Sequence, residues 1–195
     1  MSDLTTVPST TTPRHRPLRV AARWMLTFVG FPLGGFAAML LVGPVDDPLA
    51  AALGGLITGV AIGIAQALGL RRGGPAPGPW IAATAVGTTV GMTAGAAAVD
   101  YGTDLAALVI QGVICGFAVG AGQAVTLRAR LGRLALAWPV ALAVIWAIGW
   151  TVTTVAGVQV DQQFTVFGSL GAIAVTAGTV VLPLILNRRE GGAAR

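Results

Sequence analysis

The chain has 195 residues, of which 55% are apolar and only 10% are charged. Soluble domains have roughly 45–50% apolar and about 25% charged residues, so the composition excludes an ordinary soluble fold. The net charge of +5 does not indicate nucleic-acid binding, because the chain has no lysine and its twelve arginines stand in four groups at the ends of apolar segments.

The N-terminal segment, residues 1–18, is rich in Ser, Thr and Pro and lacks apolar periodicity. Such a segment cannot bury enough apolar surface to fold, and we expect a disordered, basic cytoplasmic tail. The apolar run that follows begins after arginines, as the core of a secretory signal peptide does, but it is about twice as long as such a core. We therefore expect it to remain in the protein as a permanent helix.

Six apolar runs of about 20 residues follow one another along the chain, each without Lys, Arg, Asp, Glu or His. A helix of that length crosses a hydrocarbon core about 30 Å thick. The sequence therefore predicts an all-α, polytopic integral membrane protein with a six-helix transmembrane domain over residues 19–187 and a short cytoplasmic tail over residues 188–195. The predicted spans are residues 24–42, 49–70, 80–99, 105–127, 136–158 and 164–186.

The charges that flank these runs are sorted by sign. The arginines lie before the first run and after the second, fourth and sixth; they are Arg14, Arg16, Arg19 and Arg23, then Arg71 and Arg72, then Arg128, Arg130 and Arg133, and finally Arg188, Arg189 and Arg195. The other three connections carry no basic residue and hold Asp46, Asp47, Asp100, Asp104 and Asp161. Basic residues mark the cytoplasmic side, so both termini are predicted to be cytoplasmic. Richness in Ala, Gly, Val and Arg is typical of a GC-rich bacterium and predicts the bacterial plasma membrane.

The second and fourth runs repeat each other at a constant offset. Six residues of the second run, Gly55, Gly59, Gly63, Gln66, Leu70 and Arg71, match Gly112, Gly116, Gly120, Gln123, Leu127 and Arg128. Each odd-numbered run has a Trp near its start and a Gly eleven residues later; the Trp residues are Trp24, Trp80 and Trp138. The sequence thus predicts three tandem helical hairpins in one orientation. In the third hairpin Val181 takes the glutamine position.

The repeated glycines and glutamine share one helix face, because Gln66 lies eleven residues after Gly55 and returns to within roughly 20° of it. Glycines four residues apart let helix backbones approach closely in lipid, and a glutamine on that face can bond across the interface for about 0.6 to 2 kcal/mol. We favour this packing role. The alternative is a polar site or solute path in which Gln66 and Gln123 join Gln111, Thr84, Thr88, Thr89 and Thr93. The third run is rich in Ala, Gly and Thr, and we expect it to lie centrally in the bundle.

The chain offers little for catalysis or cofactor binding. General acid–base and nucleophilic mechanisms need clustered titratable groups, whereas this chain has one histidine, His15, in its tail and one cysteine, Cys115, inside a run. No spacing indicates a metal site or a phosphate-binding loop. We therefore expect no enzyme activity, no cofactor and no metal. The aspartates of the connections are expected to cap helices, and Trp146 and Trp150 to pack in the core or face lipid.

The segments GVAIGIAQALGLRR and GFAVGAGQAVTLRAR resemble the Gly-rich, Gln-then-Leu-Arg repeats of small uncharacterised multi-pass membrane proteins of bacteria. That resemblance implies no particular activity. Two functions stay open: a structural or accessory component that assembles as a homo-oligomer or with a partner membrane subunit through its glycine faces, and a transport component for a small neutral or lipophilic solute. The second is similar in span number to the substrate-binding subunits of energy-coupling-factor transporters. Expected partners are the bilayer and its anionic headgroups on the cytoplasmic side.

Overall fold

A computed structural model describes residues 16–158 and 167–193, and the side chains of Arg16, Arg72 and residues 190–193 are not among those described. The described residues form helices and short turns, with no strand among them. The α-helices are α1 (Arg16–Met25), α2 (Gly30–Leu41), α3 (Pro48–Leu70), α4 (Pro77–Ala98), α5 (Leu105–Leu131), α6 (Trp138–Val155), α7 (Ser169–Thr179) and α8 (Val181–Ala193). Three 3₁₀ segments are Leu26–Val29, Arg71–Gly73 and Gly132–Ala137. The predicted all-α fold is confirmed for these residues.

Five helical segments of the described chain are long and apolar enough to cross a membrane. They are Pro17–Leu41, Pro48–Leu70, Pro77–Ala98, Leu105–Val155 and Ser169–Arg189. The fourth segment contains both α5 and α6. Within it Gly120 lies against Pro139 while Gly112 lies against Trp150, so α5 and α6 are antiparallel neighbours rather than one straight rod.

Several helix boundaries differ from those that the sequence predicts. The first helix begins at Arg16, inside the predicted tail, with Pro17 in its first turn, where a missing N–H costs nothing. Val20 and Trp24 are buried on one side of this helix, and only its first three residues, 16–18, fall within the predicted tail. At the other end of the chain α8 continues to Ala193, through most of the predicted C-terminal tail. Residues 1–15 of the predicted N-terminal tail, residues 159–166 with Asp161, and residues 194–195 lie outside the described residues.

Prolines explain two interruptions of the long helices. The 3₁₀ segment Leu26–Val29 contains the residue four before Pro32, and α7 ends at Thr179, four before Pro183. Because proline has no N–H and its ring crowds the carbonyl four residues earlier, a regular helix cannot pass through either point. The α-helix of the first and of the last membrane-length segment is consequently interrupted at these points.

The aspartates of two connections begin helices. The Asp47 Oδ1 accepts hydrogen bonds from the Leu49 N–H at 2.7 Å and the Ala50 N–H at 2.9 Å, and the Asp104 Oδ1 accepts from the Ala107 N–H at 3.0 Å. These carboxylates satisfy N–H groups that have no partner inside the helix. The expected capping role of these two residues is confirmed.

The helices form a closed ring. Each helix contacts the next along the chain from α2 to α7, and α1 contacts α7 and α8 to complete the circuit. The indole N–H of Trp24 joins the two ends of the chain, since it donates to the Thr176 carbonyl and the Thr179 hydroxyl, both at 3.1 Å. We call the end of the bundle where α3 and α5 finish the arginine end, because Arg23, Arg71 and Arg130 meet there.

The third predicted span is a member of this ring and not its centre. Helix α4 lies between α3 and α5, and it exposes Val86 (61%) and Val90 (55%) on its outer side. Its small residues allow close contact with α3 and α5. We expected the same small residues to place the helix at the centre of the bundle.

Candidate functional site

The glycines of α3 lie directly against the backbone of α4. A Cβ placed on Gly59 would be 2.7 Å from the Ala85 Cα, and one placed on Gly63 would be 2.9 Å from the Ile81 Cα. A Cβ on Gly55 would meet the backbone of the same helix, 2.9 Å from the Thr88 carbonyl oxygen. Real Cβ atoms do not approach that closely, so this packing requires glycine at all three positions.

The matching glycines of α5 make the same kind of contact with α6. A Cβ on Gly116 would lie 2.5 Å from the Leu142 carbonyl oxygen, and one on Gly120 would lie 2.6 Å from the Pro139 Cα. A Cβ on Gly112 would lie 2.7 Å from the Trp150 Cδ1. Each glycine stripe therefore packs against the next helix along the same chain, that of α3 against α4 and that of α5 against α6. The face that was expected to bind a second subunit is covered by the protein itself.

A hydrogen-bonded cluster of four buried side chains lies at the arginine end of the glycine stripes. The Gln123 side-chain amide donates to the Gln66 Oε1 at 3.1 Å and to the Thr84 Oγ1 at 3.0 Å. Its own Oε1 accepts the indole N–H of Trp138 at 2.8 Å. We call Gln66, Thr84, Gln123 and Trp138 the glutamine cluster. It joins α3, α4, α5 and α6, so Gln123 is the hub of a cross-bundle network.

The three repeated tryptophans differ in how their indole N–H groups are used. Trp138 on α6 donates to Gln123 on α5, and Trp24 on α1 donates to α7. Trp80 is 1% exposed, and its Nε1 has no partner among the described residues. The glutamine at the matching position, Gln66, accepts from Gln123 at its Oε1. The three tryptophans therefore share a spacing in the sequence but not a pattern of hydrogen bonds.

The remaining candidates for a polar path are mostly satisfied within their own helix. The hydroxyls of α4 donate to the carbonyl four residues earlier, at 2.7 to 2.9 Å; they belong to Thr84, Thr88, Thr89 and Thr93. Gln111 donates to the Met92 Sδ at 3.3 Å, and its Oε1 is buried without a partner among the described residues. Gln111 lies apart from the glutamine cluster, because it contacts the Gly95 turn of α4 while Gln123 contacts the Thr84 turn.

Aromatic rings from α2, from α6 and from the residues just before α7 pack together in the core. The centroid of Phe167 lies 5.8 Å from that of Phe31, 5.1 Å from that of Trp146 and 5.0 Å from that of Trp150. Phe31 and Trp146 are also in contact, at 6.1 Å. All four side chains are buried, so Trp146 and Trp150 pack in the core, one of the two places expected for them.

The sequence pattern misses some of the contacting residues. Glycines of α2 lie against α3, and glycines of α4 lie against α5. They include Gly30, Gly34, Gly87 and Gly91. The spacing of four residues between these glycines is visible in the sequence and could have identified them. The sequence does not show which residue accepts the hydrogen bond of Trp138, because that depends on which helices are neighbours in the fold.

The arginines proposed to set topology lie at or near helix ends. Arg71, Arg128, Arg130, Arg133, Arg188 and Arg189 are exposed. The Arg189 Nη1 donates to the Arg130 carbonyl at 3.0 Å, which connects α8 to α5. Among the residues that the structure describes, no three His, Cys, Asp or Glu side chains are grouped so that they could hold a metal ion.

The chain was compared with protein-family models, with curated proteins and with solved structures, and none of them matched.

Substituting a stripe glycine should separate the helices. We expect Gly116→Ala to lower the free energy of unfolding by about 1–3 kcal/mol, because its Cβ would meet the α6 backbone, which cannot move aside without shifting the helix. The matched control is Gly78→Ala, at an exposed position in the first turn of α4 where a Cβ meets nothing within 4 Å. Thermal unfolding in mild detergent measures both. Equal melting temperatures for the two variants would contradict the close packing of α5 and α6.

The glutamine cluster makes a matched prediction for two tryptophans. Trp138→Phe removes the N–H that Gln123 accepts and leaves a buried carbonyl oxygen unpaired, which costs about 1–3 kcal/mol beyond the lost ring volume. Trp80→Phe loses the same volume and an N–H that has no described partner. We expect the first variant to melt clearly below the second. If Trp80→Phe is the more destabilised of the two, the assignment of donors in the cluster is wrong.

Proposed function

We propose that this protein is a structural or accessory component of the bacterial plasma membrane, with six spans arranged as three hairpins and both termini in the cytoplasm. The antiparallel contact of α5 with α6 supports counting Leu105–Val155 as two spans. Two observations support the orientation. Arginines meet at one end of the bundle, namely Arg23, Arg71 and Arg130. The aspartates Asp47 and Asp104 cap the starts of α3 and α5, at the opposite end.

The observation that carries the proposal is that polar side chains of the core bind one another. The glutamine cluster uses its amides and indole to join four helices, and the four aromatic rings occupy the space between the first and third hairpins. A transport site would instead need polar groups presented to a solute. Side chains engaged in this way hold helices together, which is the role of a structural or accessory protein.

Such a component would contact its partner through its outer surface. The glycine faces are covered within the chain, and the outward side of α2 carries large exposed apolar residues, Leu33, Phe36 and Leu40. In a bilayer such a face meets either lipid or another membrane helix. A homo-oligomer or a partner subunit would therefore pack on bulky side chains, and not on the glycine stripes.

A transport component is the second candidate, and one observation favours it. Trp80 Nε1 on α4 and Gln111 Oε1 on α5 are both buried and both lack a partner among the described residues. Buried polar atoms without partners are rare in folded proteins and call for an explanation. A solute that donates a hydrogen bond to Gln111 would supply one of the missing partners.

Native mass spectrometry after purification in mild detergent tests which role is right. A bare homo-oligomer, or a complex with a partner membrane protein other than a transporter, is the expected result. A co-purified ATPase or permease subunit, or a retained small solute, would overturn the structural role in favour of transport.

The double variant Gln66→Leu, Gln123→Leu separates the two roles at the residue level. We expect it to lower the melting temperature, because Thr84 and Trp138 lose their partners in the cluster. A variant that melts and assembles like the parent but loses a measured solute flux would show that the glutamines serve transport.

Cysteine labelling in a Cys115→Ala background tests the proposed orientation of the chain in the membrane. Both test positions, Asp46 and Arg133, are exposed. We expect Asp46→Cys to react with a membrane-impermeant thiol reagent in intact cells, and Arg133→Cys to react only after the cells are opened. The reverse pattern would invert the orientation, and labelling of both in intact cells would contradict the hairpin count.

A further inference from the structure

A large groove runs along the outside of the bundle between the first membrane-length segment and α3. Its volume is about 1340 Å³, which exceeds the roughly 300–1,000 Å³ of common small-molecule pockets. Its walls carry large apolar side chains that are open to the surroundings, namely Leu26, Leu33, Ile64 and Leu68. The groove therefore suits a long apolar ligand that lies against the outer surface of the protein.

Small residues at the contact between the first segment and α3 account for the shape of the groove. Gly30 lies against the Ala65 side chain, and Gly69 lies against the Thr27 side chain, so small residues form the floor where the two segments touch. The 3₁₀ segment Leu26–Val29 interrupts the α-helix of the first segment at this level. Small residues at the line of contact and large residues on either side form the apolar floor and walls of the groove, and we call this apolar part the furrow.

One end of the groove is strongly cationic. Arg23, Arg71 and Arg130, which come from three different helical segments, all line it, and no carboxylate lies among its described lining residues. The Arg23 Nε donates to the Gly69 carbonyl at 2.7 Å, which fixes that guanidinium at the rim. Arg23 and Arg71 carry like charges at this one end of the groove, and like charges repel each other. An anion between them would remove that repulsion.

The pairing of an apolar furrow with a cationic end matches one class of molecule. A diacyl phospholipid has two acyl chains that would lie along Leu26, Leu33 and Leu68, and a phosphate that guanidinium groups bind with paired hydrogen bonds. Basic pockets between transmembrane helices are known to hold anionic headgroups. A neutral or zwitterionic lipid would bring no net negative charge to these arginines.

We propose that this groove binds one anionic phospholipid, with its phosphate between Arg23, Arg71 and Arg130 and its acyl chains along the furrow. The site requires that the chain be embedded in a membrane, and it holds for an accessory protein as well as for a transport component. It differs from general attraction of arginines to a charged surface because it has a fixed stoichiometry and a defined place.

Native mass spectrometry with added lipid tests the site. The purified protein is titrated with phosphatidylglycerol and with phosphatidylcholine of the same acyl chains. We expect one phosphatidylglycerol to bind about tenfold more tightly than phosphatidylcholine, because only the first brings a net negative charge to the arginines. Equal binding of the two lipids would overturn the proposal.

Matched variants locate the site. Arg71→Gln, Arg130→Gln removes two groove arginines, and Arg128→Gln, Arg133→Gln removes two exposed arginines of the same region that do not line the groove. The two double variants change the net charge equally. We expect the first to lose the preference for phosphatidylglycerol and the second to keep it within about twofold. Equal loss in both, at unchanged melting temperatures, would mean that only the overall charge matters.

A last comparison distinguishes a lipid from a free anion. Inorganic phosphate and dihexanoyl phosphatidylglycerol are tested as competitors of the long-chain lipid. We expect neither to displace it at equal concentration, because neither fills the furrow. Displacement by inorganic phosphate would identify an anion site without an acyl-chain groove and would overturn the proposal.

Discussion

The close approach of helix backbones is the constraint on which this bundle depends. Inside a bilayer the lipid tails are as apolar as the side chains, so helices gain nothing from leaving the lipid except better packing and internal hydrogen bonds. The stripe of α3 lies on Ala85, and the stripe of α5 lies on Leu142 and Pro139, at distances where no side chain fits. The position of every other group in the core follows from these contacts.

The glutamine cluster shows that dependence directly. Gln66 and Gln123 belong to helices that are not neighbours along the chain, since α4 lies between them, yet their amides are 3.1 Å apart. An amide side chain is short, and it spans this distance because the intervening helix presents only Thr84 at that level. The glycines bring the backbones together, and the glutamines then fix the helices in register along their axes. Each feature would be much weaker without the other.

The sequence predicts the elements of this structure better than their partners. Apolar runs locate the helices, and prolines and aspartates mark their ends. The eleven-residue spacing places Gln66 on the glycine face of its helix. Both features are set by residues that are close together in the sequence. Which helix each stripe meets depends on the order of the ring, and so do the Trp138 bond to Gln123 and the contact of Phe31 with Phe167. The first helix begins eight residues before the first predicted span, because the arginines of residues 16–23 interrupt the apolar run while Val20 is buried in the bundle.

The indole and amide bonds show how much of the ring one residue connects. Trp24 and Trp138 each donate an indole N–H to a neighbouring helix, whereas the Trp80 Nε1 is buried without a partner among the described residues. Gln123 accepts from Trp138 through its Oε1 and donates through its Nε2 to the two other members of the glutamine cluster. All three bonds of the cluster therefore involve Gln123, and removing its side chain would break the links among α3, α4, α5 and α6 at once.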